Sequence, residues 1–251
     1  MKILLLLLLA FSIAQAAPKP KYGPEAVTLS RSHEFFRKAP APDFWALAPY
    51  YVGQRDDRSC SVASVTMVMN ALRSKLPLTA DDELITQDSL LKKVGSGDWW
   101  KDRGAGGVTL DQLGKAIEQS LAGYELAGLE VEVVHADKTP EFRARLHEAL
   151  VANEKSDADF IILNFIQGAY TGDADVGHIA PLGAYDGKRA LVMDPDRKWY
   201  EPYWVSEETL LNGMATHDPQ SGGNRGFAWI HPAGNPAGKT IRKVEPRPSS
   251  L

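Results

Sequence analysis

Two hydrophobic periods share this 251-residue chain, helical in its first half and strand-like in its second. In SVASVTMVMNALRS the apolar positions Val62, Val65, Val68, Met69 and Leu72 recur at helical spacing, with no proline or glycine to break the run. The polar RDDRS before it reads as a turn, and Asp57 or Ser59 is placed to cap the first helical turn. Cys60 therefore stands at the amino end of a mostly buried helix. A polar, Gly-rich loop (GSGDWWKDRGAGG) follows, and Thr109 is placed to cap a helix through LDQLGKAIEQSL. LEVEVVHA then predicts a strand, and Thr139-Pro140 opens a helix through EFRARLHEALVAN.

Beyond that point strands take over. DFIILNFI is a continuous apolar run of strand length, and GHIAPLGAY and RALVMDP flank Asp186-Gly187, a hairpin signal. EPYWV and RGFAWI complete the series, with a short helix around SEETLLNGM between them. Helices first and antiparallel strands second predict an α+β domain with the cysteine helix packed on the sheet.

The ends read differently. MKILLLLLLAFSIAQAAPKP has one lysine, an apolar run from Ile3 to Ile13 and then Ala14-Gln15-Ala16, the layout of a secretory signal peptide cleaved after Ala16. The run is too short for a permanent membrane span, so the expectation is an exported protein, periplasmic in a bacterium, with no membrane anchor. The domains expected are a signal peptide at 1–16, an extended N-terminal segment at 17–40, one folded domain at 41–232 and a flexible tail at 233–251. The formal net charge of −4 and the lack of a Lys/Arg cluster argue against nucleic acid or anionic membrane as a partner.

One cysteine in an exported chain is either a reactive thiol or a small buried apolar residue, and composition leaves both open. A nucleophilic thiol needs help to become thiolate, from a helix amino terminus and from a nearby imidazolium. Among the histidines, His178 starts a strand and Asp194 ends its hairpin partner, so a tight Asp186-Gly187 turn brings the two together at one sheet edge. An acid holding one imidazole nitrogen while the other faces a nucleophile is the arrangement of an activated thiol, although a histidine near a strand end also serves structure alone. His147 and His135 lie in amphipathic segments, His33 and His231 lie near the ends, and His217 reads as a loop residue. DADVGH offers Asp173, Asp175 and His178 as a metal cluster, but without a partner set of recognisable spacing. Gln54, six residues before Cys60, lies on a loop long enough to turn its amide toward the oxyanion of an acyl transfer.

The stretches VGQRDDRSCSVASVTMVMNAL, GGVTLDQLGKAI, GHIAPLGAYDGKRALVMDPDRKWYEPYWV and HDPQSGGNRGFAWI, in this order, resemble the catalytic domain of phytochelatin synthases in their short bacterial form. The resemblance implies a papain-like cysteine peptidase fold. It also implies Cys60 as nucleophile, His178 as general base, Asp194 as its orienting acid and Gln54 as oxyanion donor. Asp218 and Arg225 match residues that hold the γ-glutamyl amine and carboxylate; a loop salt bridge is the alternative for this pair. Arg197 matches another arginine near the site, which either holds substrate carboxylate or braces its loop. Ser61 stands where the family usually has glycine.

The activity implied is attack on the Cys-Gly bond of glutathione through a γ-glutamylcysteinyl thioester. Hydrolysis to γ-glutamylcysteine and glycine is expected to exceed transpeptidation to phytochelatins, because no Cys-rich module follows the matched region. No permanently bound cofactor is expected; heavy-metal ions such as cadmium and zinc enter as metal–glutathione thiolate substrate, and a homodimer is compatible with the family. Two rival readings are a double-glycine leader peptidase, favoured by Met193-Asp194-Pro195, and a catalytically silent periplasmic γ-glutamyl or thiol-binding protein, favoured by Ser61.

Overall fold

The computed structural model describes residues 19–94 and 107–234. The expected signal peptide, nearly all of the Gly-rich loop and residues 235–251 of the expected tail lie outside them. Seven antiparallel strands form one sheet in the order β1-β6-β5-β4-β3-β7-β2. They are β1 (Ala26–Thr28), β2 (Leu129–His135), β3 (Phe160–Ile166), β4 (Gly177–Tyr185), β5 (Arg189–Val192), β6 (Tyr203–Ser206) and β7 (Gly226–Pro232). Among the described residues the α-helices are α1 (Pro42–Leu47), α2 (Cys60–Arg73), α3 (Gln87–Val94), α4 (Leu110–Gly123), α5 (Pro140–Asn153), α6 (Gly168–Thr171) and α7 (Glu207–Met214). This is the α+β arrangement expected.

Both faces of the sheet are covered, which is why β3 is apolar without alternation. Phe160 and Ile162 face the core made by α2, α3 and α4, whereas Ile161, Leu163 and Phe165 face the core made by α5 and α7. α2 lies between the sheet and its fellow helices, and every residue from Cys60 to Leu72 is buried. α4 starts at the expected cap, Thr109, which the structure shows in a capping box: Gln112 N–H donates to Thr109 Oγ1 and Thr109 N–H to Gln112 Oε1. Thr139 likewise caps α5. Asp186 closes the β4–β5 hairpin by accepting from the backbone of Lys188 and Arg189, with Gly187 at φ +91°. The pairing shifts register between Leu182 and Ala184. A side chain at Gly183 would come within 2.6 Å of Met193 there.

Two local expectations are corrected. Ser59 precedes α2 but does not cap it, because its hydroxyl accepts from Arg55 and Asp56 N–H and donates to the Asp56 carbonyl. Asp57 does not cap it either. The N-terminal segment is not merely extended: it contributes edge strand β1 and two 3-10 turns. Aromatic contacts hold it, with half-buried Phe35 and Phe36 against Trp204 and Tyr22 against Tyr200 and Tyr203.

Candidate active site

The start of α2 meets the start of β4. Ser64 makes the joint: its hydroxyl bonds the Cys60 carbonyl one turn back at 2.8 Å and the Ile179 carbonyl of β4 at 3.1 Å. Cys60 is thereby held beside His178, the neighbour of Ile179, close enough for the sulfur to favour the protonated imidazole. The hairpin delivers Asp194 to the other side of the ring, with Oδ1 2.8 Å from His178 Nε2. His178 is 5% exposed and Asp194 fully buried. Phe165 meets the imidazole edge to face at 5.5 Å. With Nε2 bound to Asp194, Nδ1 is the nitrogen left for sulfur.

A fully buried carboxylate persists only when its oxygens are served. Here Oδ1 also accepts from Asp196 N–H at 2.8 Å, and Oδ2 from Gln167 Nε2 and the Tyr203 hydroxyl, both at 3.0 Å. The Tyr51 hydroxyl holds the Asp194 carbonyl at 2.6 Å. Burial presses the Asp194 carboxyl upward, yet the charge of His178 and these donors outweigh it and hold the group below the usual carboxylate range. Burial likewise opposes protonation of His178, but the Asp194 charge and the contacts with Asp194 and Cys60 raise it well above the usual imidazole range. The histidine is thus a strong proton acceptor beside a thiol, at a helix end that no side chain caps.

Two cavities flank this group and share Asp57, Val176 and Gly177 in their walls. One, of about 520 Å³, is lined by His178 and Gln54 with Lys21, Lys198 and Trp199. Gln54 is held there through its backbone N–H on the Pro195 carbonyl at 2.8 Å, while Gln87 donates to the Gly53 carbonyl at 2.9 Å. The buried Gln54 Oε1 has no protein partner. The other cavity, of about 450 Å³, contains Asp218 and Arg225 with Arg58, Asp175 and His217. Both Asp218 and Arg225 are 7% exposed, and the closest approach between their charged atoms is 4.0 Å. Gly177 keeps one guanidinium edge open, since a Cβ there would come within 3.2 Å of Arg225 Nη2 and 3.5 Å of Nε.

Cys60, His178 and Asp194 are therefore brought into one chain of contacts, with Gln54 on the adjoining wall and Asp218 and Arg225 on the far side of Gly177. Arg197 is not brought to them: its guanidinium stacks over Tyr51 at 4.9 Å and its stem packs on Gly53. Ser61 lines neither cavity, and its buried hydroxyl has no partner. Asp173 turns to Tyr200, Thr171 and Lys21 rather than toward His178. Among the described residues no group of three potential metal ligands is present.

Residues 25–227 match the family model described as phytochelatin synthase. The chain belongs to that family. Relatives of this phytochelatin synthase family member include glutathione gamma-glutamylcysteinyltransferase 2 of Arabidopsis thaliana, 27% identical over 79% of this chain and 42% of its own length. Glutathione gamma-glutamylcysteinyltransferase 1 of Lotus japonicus is 30% identical over 74% of this chain and 35% of its own. The chain thus spans about two fifths or less of these relatives. Among solved structures, the peptidase domain of Streptococcus ComA is 16% identical, with a TM-score of 0.40 over 72% of this chain and 96% of that one.

Three members of the site escaped the reading of the sequence: Gln167, Tyr203 and Tyr51. Tyr203 occupies a variable position in the YxPxWV stretch that carries the family resemblance, and Gln167 is the polar residue ending the apolar run of β3. Both signals exist, but neither residue's role is visible without the tertiary approach to Asp194.

Proposed function

We propose that the protein is an exported cysteine enzyme that cleaves the Cys-Gly bond of glutathione. The observation that carries this is the buried Cys60–His178–Asp194 relay with the Asp218/Arg225 cavity beyond Gly177. The names of the relatives supply the substrate class. Cys60 thiolate attacks the amide carbonyl carbon, its proton having passed to His178. Negative charge forms on the carbonyl oxygen, where the Gln54 amide and the Cys60 backbone N–H serve as donors. The C–N bond then breaks, His178 protonates the departing glycine nitrogen, and a γ-glutamylcysteinyl thioester remains on sulfur.

Water follows, giving a proton to His178 and attacking the thioester. The C–S bond breaks, releasing γ-glutamylcysteine and restoring the pair. The amine of a second glutathione in place of water would yield a phytochelatin; hydrolysis is the main outcome in this proposal. Asp218 takes the α-ammonium and the open edge of Arg225 the α-carboxylate of the γ-glutamyl end. Cadmium and zinc act as thiolate-bound parts of the substrate. Export rests on the signal-peptide layout of residues 1–16; among the described residues no helix is long and apolar enough to cross a membrane.

The test is incubation of the mature protein with glutathione, with and without cadmium or zinc, and mass analysis of products. Glycine and γ-glutamylcysteine from wild type but not from Cys60→Ala are expected. Folded, reduced wild type that leaves glutathione intact would refute the proposal.

A further inference from the structure

The loop before the nucleophile is fixed more firmly than its exposure requires. Arg55 and Asp56 N–H donate to Ser59 Oγ at 3.0 and 2.9 Å, Ser59 Oγ–H returns to the Asp56 carbonyl at 3.1 Å, and Arg58 N–H bonds Asp56 Oδ1 at 2.9 Å. Of its two arginines, Arg55 is paired with Asp88. The Arg58 guanidinium makes no ion pair or hydrogen bond among the described residues, and exposed Arg58 lines the cavity that holds Asp218 and Arg225.

Arg225 alone serves a carboxylate poorly. Its Nη1 is committed to Thr216 Oγ1 at 3.2 Å and the His217 carbonyl at 2.5 Å, and Asp218 offsets part of its charge. The Nε/Nη2 edge beside Gly177 makes no hydrogen bond among the described residues, with Nη2 4.0 Å from Asp218 Oδ1. Asp57, Asp175 and Asp218 outnumber the two arginines, Arg225 and Arg58, that share the same cavity, so neither arginine is in excess there. A substrate carboxylate entering there needs a second cation.

We propose that Arg58 is that cation: it binds the α-carboxylate of the γ-glutamyl group opposite the Arg225 edge. Lying two residues before Cys60 on a fixed loop, it sets the distance between that carboxylate and the sulfur. Arg58 is a specificity-determining residue for the activity proposed above, and the assignment rests on that reading.

The test compares wild type, Arg58→Gln and Arg58→Lys on three substrates. They are glutathione, 4-aminobutanoyl-cysteinylglycine, which lacks the α-carboxylate, and glutaryl-cysteinylglycine, which lacks the α-amine. Loss of a charge-assisted contact at a partly wet rim predicts about a tenfold rise in KM for Arg58→Gln on glutathione and glutaryl-cysteinylglycine, with kcat near wild type. The substrate without the carboxylate should be cut equally by wild type and Arg58→Gln, and Arg58→Lys should recover part of the loss. An unchanged KM for glutathione, or an equal loss on all three substrates, would overturn the role of Arg58 while the glutathione activity stands. Wild type that cuts none of them would overturn the activity and the role together.

Discussion

Asp194→Asn isolates the charge of the relay from its geometry. All four partners of the carboxylate are donors in the wild type: His178 Nε2, Asp196 N–H, Gln167 Nε2 and the Tyr203 hydroxyl. An asparagine fits the same space if its oxygen keeps His178 and Asp196, because Tyr203 can turn its hydroxyl to accept and Gln167 can flip its amide. The fold is then retained and the negative charge is lost. A unit charge about 4 Å from an imidazolium contributes about 4 kcal/mol at an effective dielectric near 20, or about a thousandfold in its population. With that attraction gone, burial dominates and the His178 pKa falls. The protonated ring is then lost at lower pH, and the thiolate–imidazolium pair with it.

The assay is alkylation of Cys60 by iodoacetamide across pH, which reads thiolate without assuming a substrate. Asp194→Asn should slow alkylation in mildly acidic buffer by two to three orders of magnitude, about the population change above. The loss should vanish in alkaline buffer. Superimposable profiles for wild type and variant would refute the electrostatic role of Asp194.

Other expectations follow from single features. Asp43 is fully buried, accepts from Asn153 Nδ2, and leaves its own Oδ1 and the Asn153 Oδ1 without partners. Burial, then Asp159, Glu154 and Asp157, hold its pKa well above the usual range, with Lys75 opposing. A raised carboxyl pKa costs stability once pH passes the unfolded value, so Asp43→Asn should gain on wild type by about 1.4 kcal/mol per pH unit until the folded group ionises. Parallel urea-stability curves against pH would refute this. Gly177→Ala should raise KM for glutathione about tenfold by crowding the Arg225 edge, with an unchanged iodoacetamide rate. Ser61→Ala should stabilise the protein by about 1 kcal/mol in urea denaturation, since it removes a buried hydroxyl with no partner.

How legible the molecule was depends on how local its causes are. Thr109 and Gln112 form their capping box within one turn, and Asp186-Gly187 sets the hairpin that brings His178 to Asp194. These causes lie within a few residues and can be read from spacing. The supports of Asp194 come from Gln167 at the end of β3 and Tyr203 in β6, which converge only once the sheet has formed. Ser59 had the right type and place for a cap but found closer partners in its own loop. The N-terminal segment looked like a tail because its proline-rich start hides the aromatic contacts made by Tyr22, Phe35 and Phe36.

The central claim is that Cys60 sulfur carries the γ-glutamylcysteinyl group. Rapid-quench intact-mass analysis of wild type mixed with glutathione tests it most directly. The account predicts one γ-glutamylcysteinyl adduct on Cys60, formed with one equivalent of glycine and absent from Cys60→Ala. Glycine release that survives in Cys60→Ala, or an adduct of the glutamyl group alone, would contradict it.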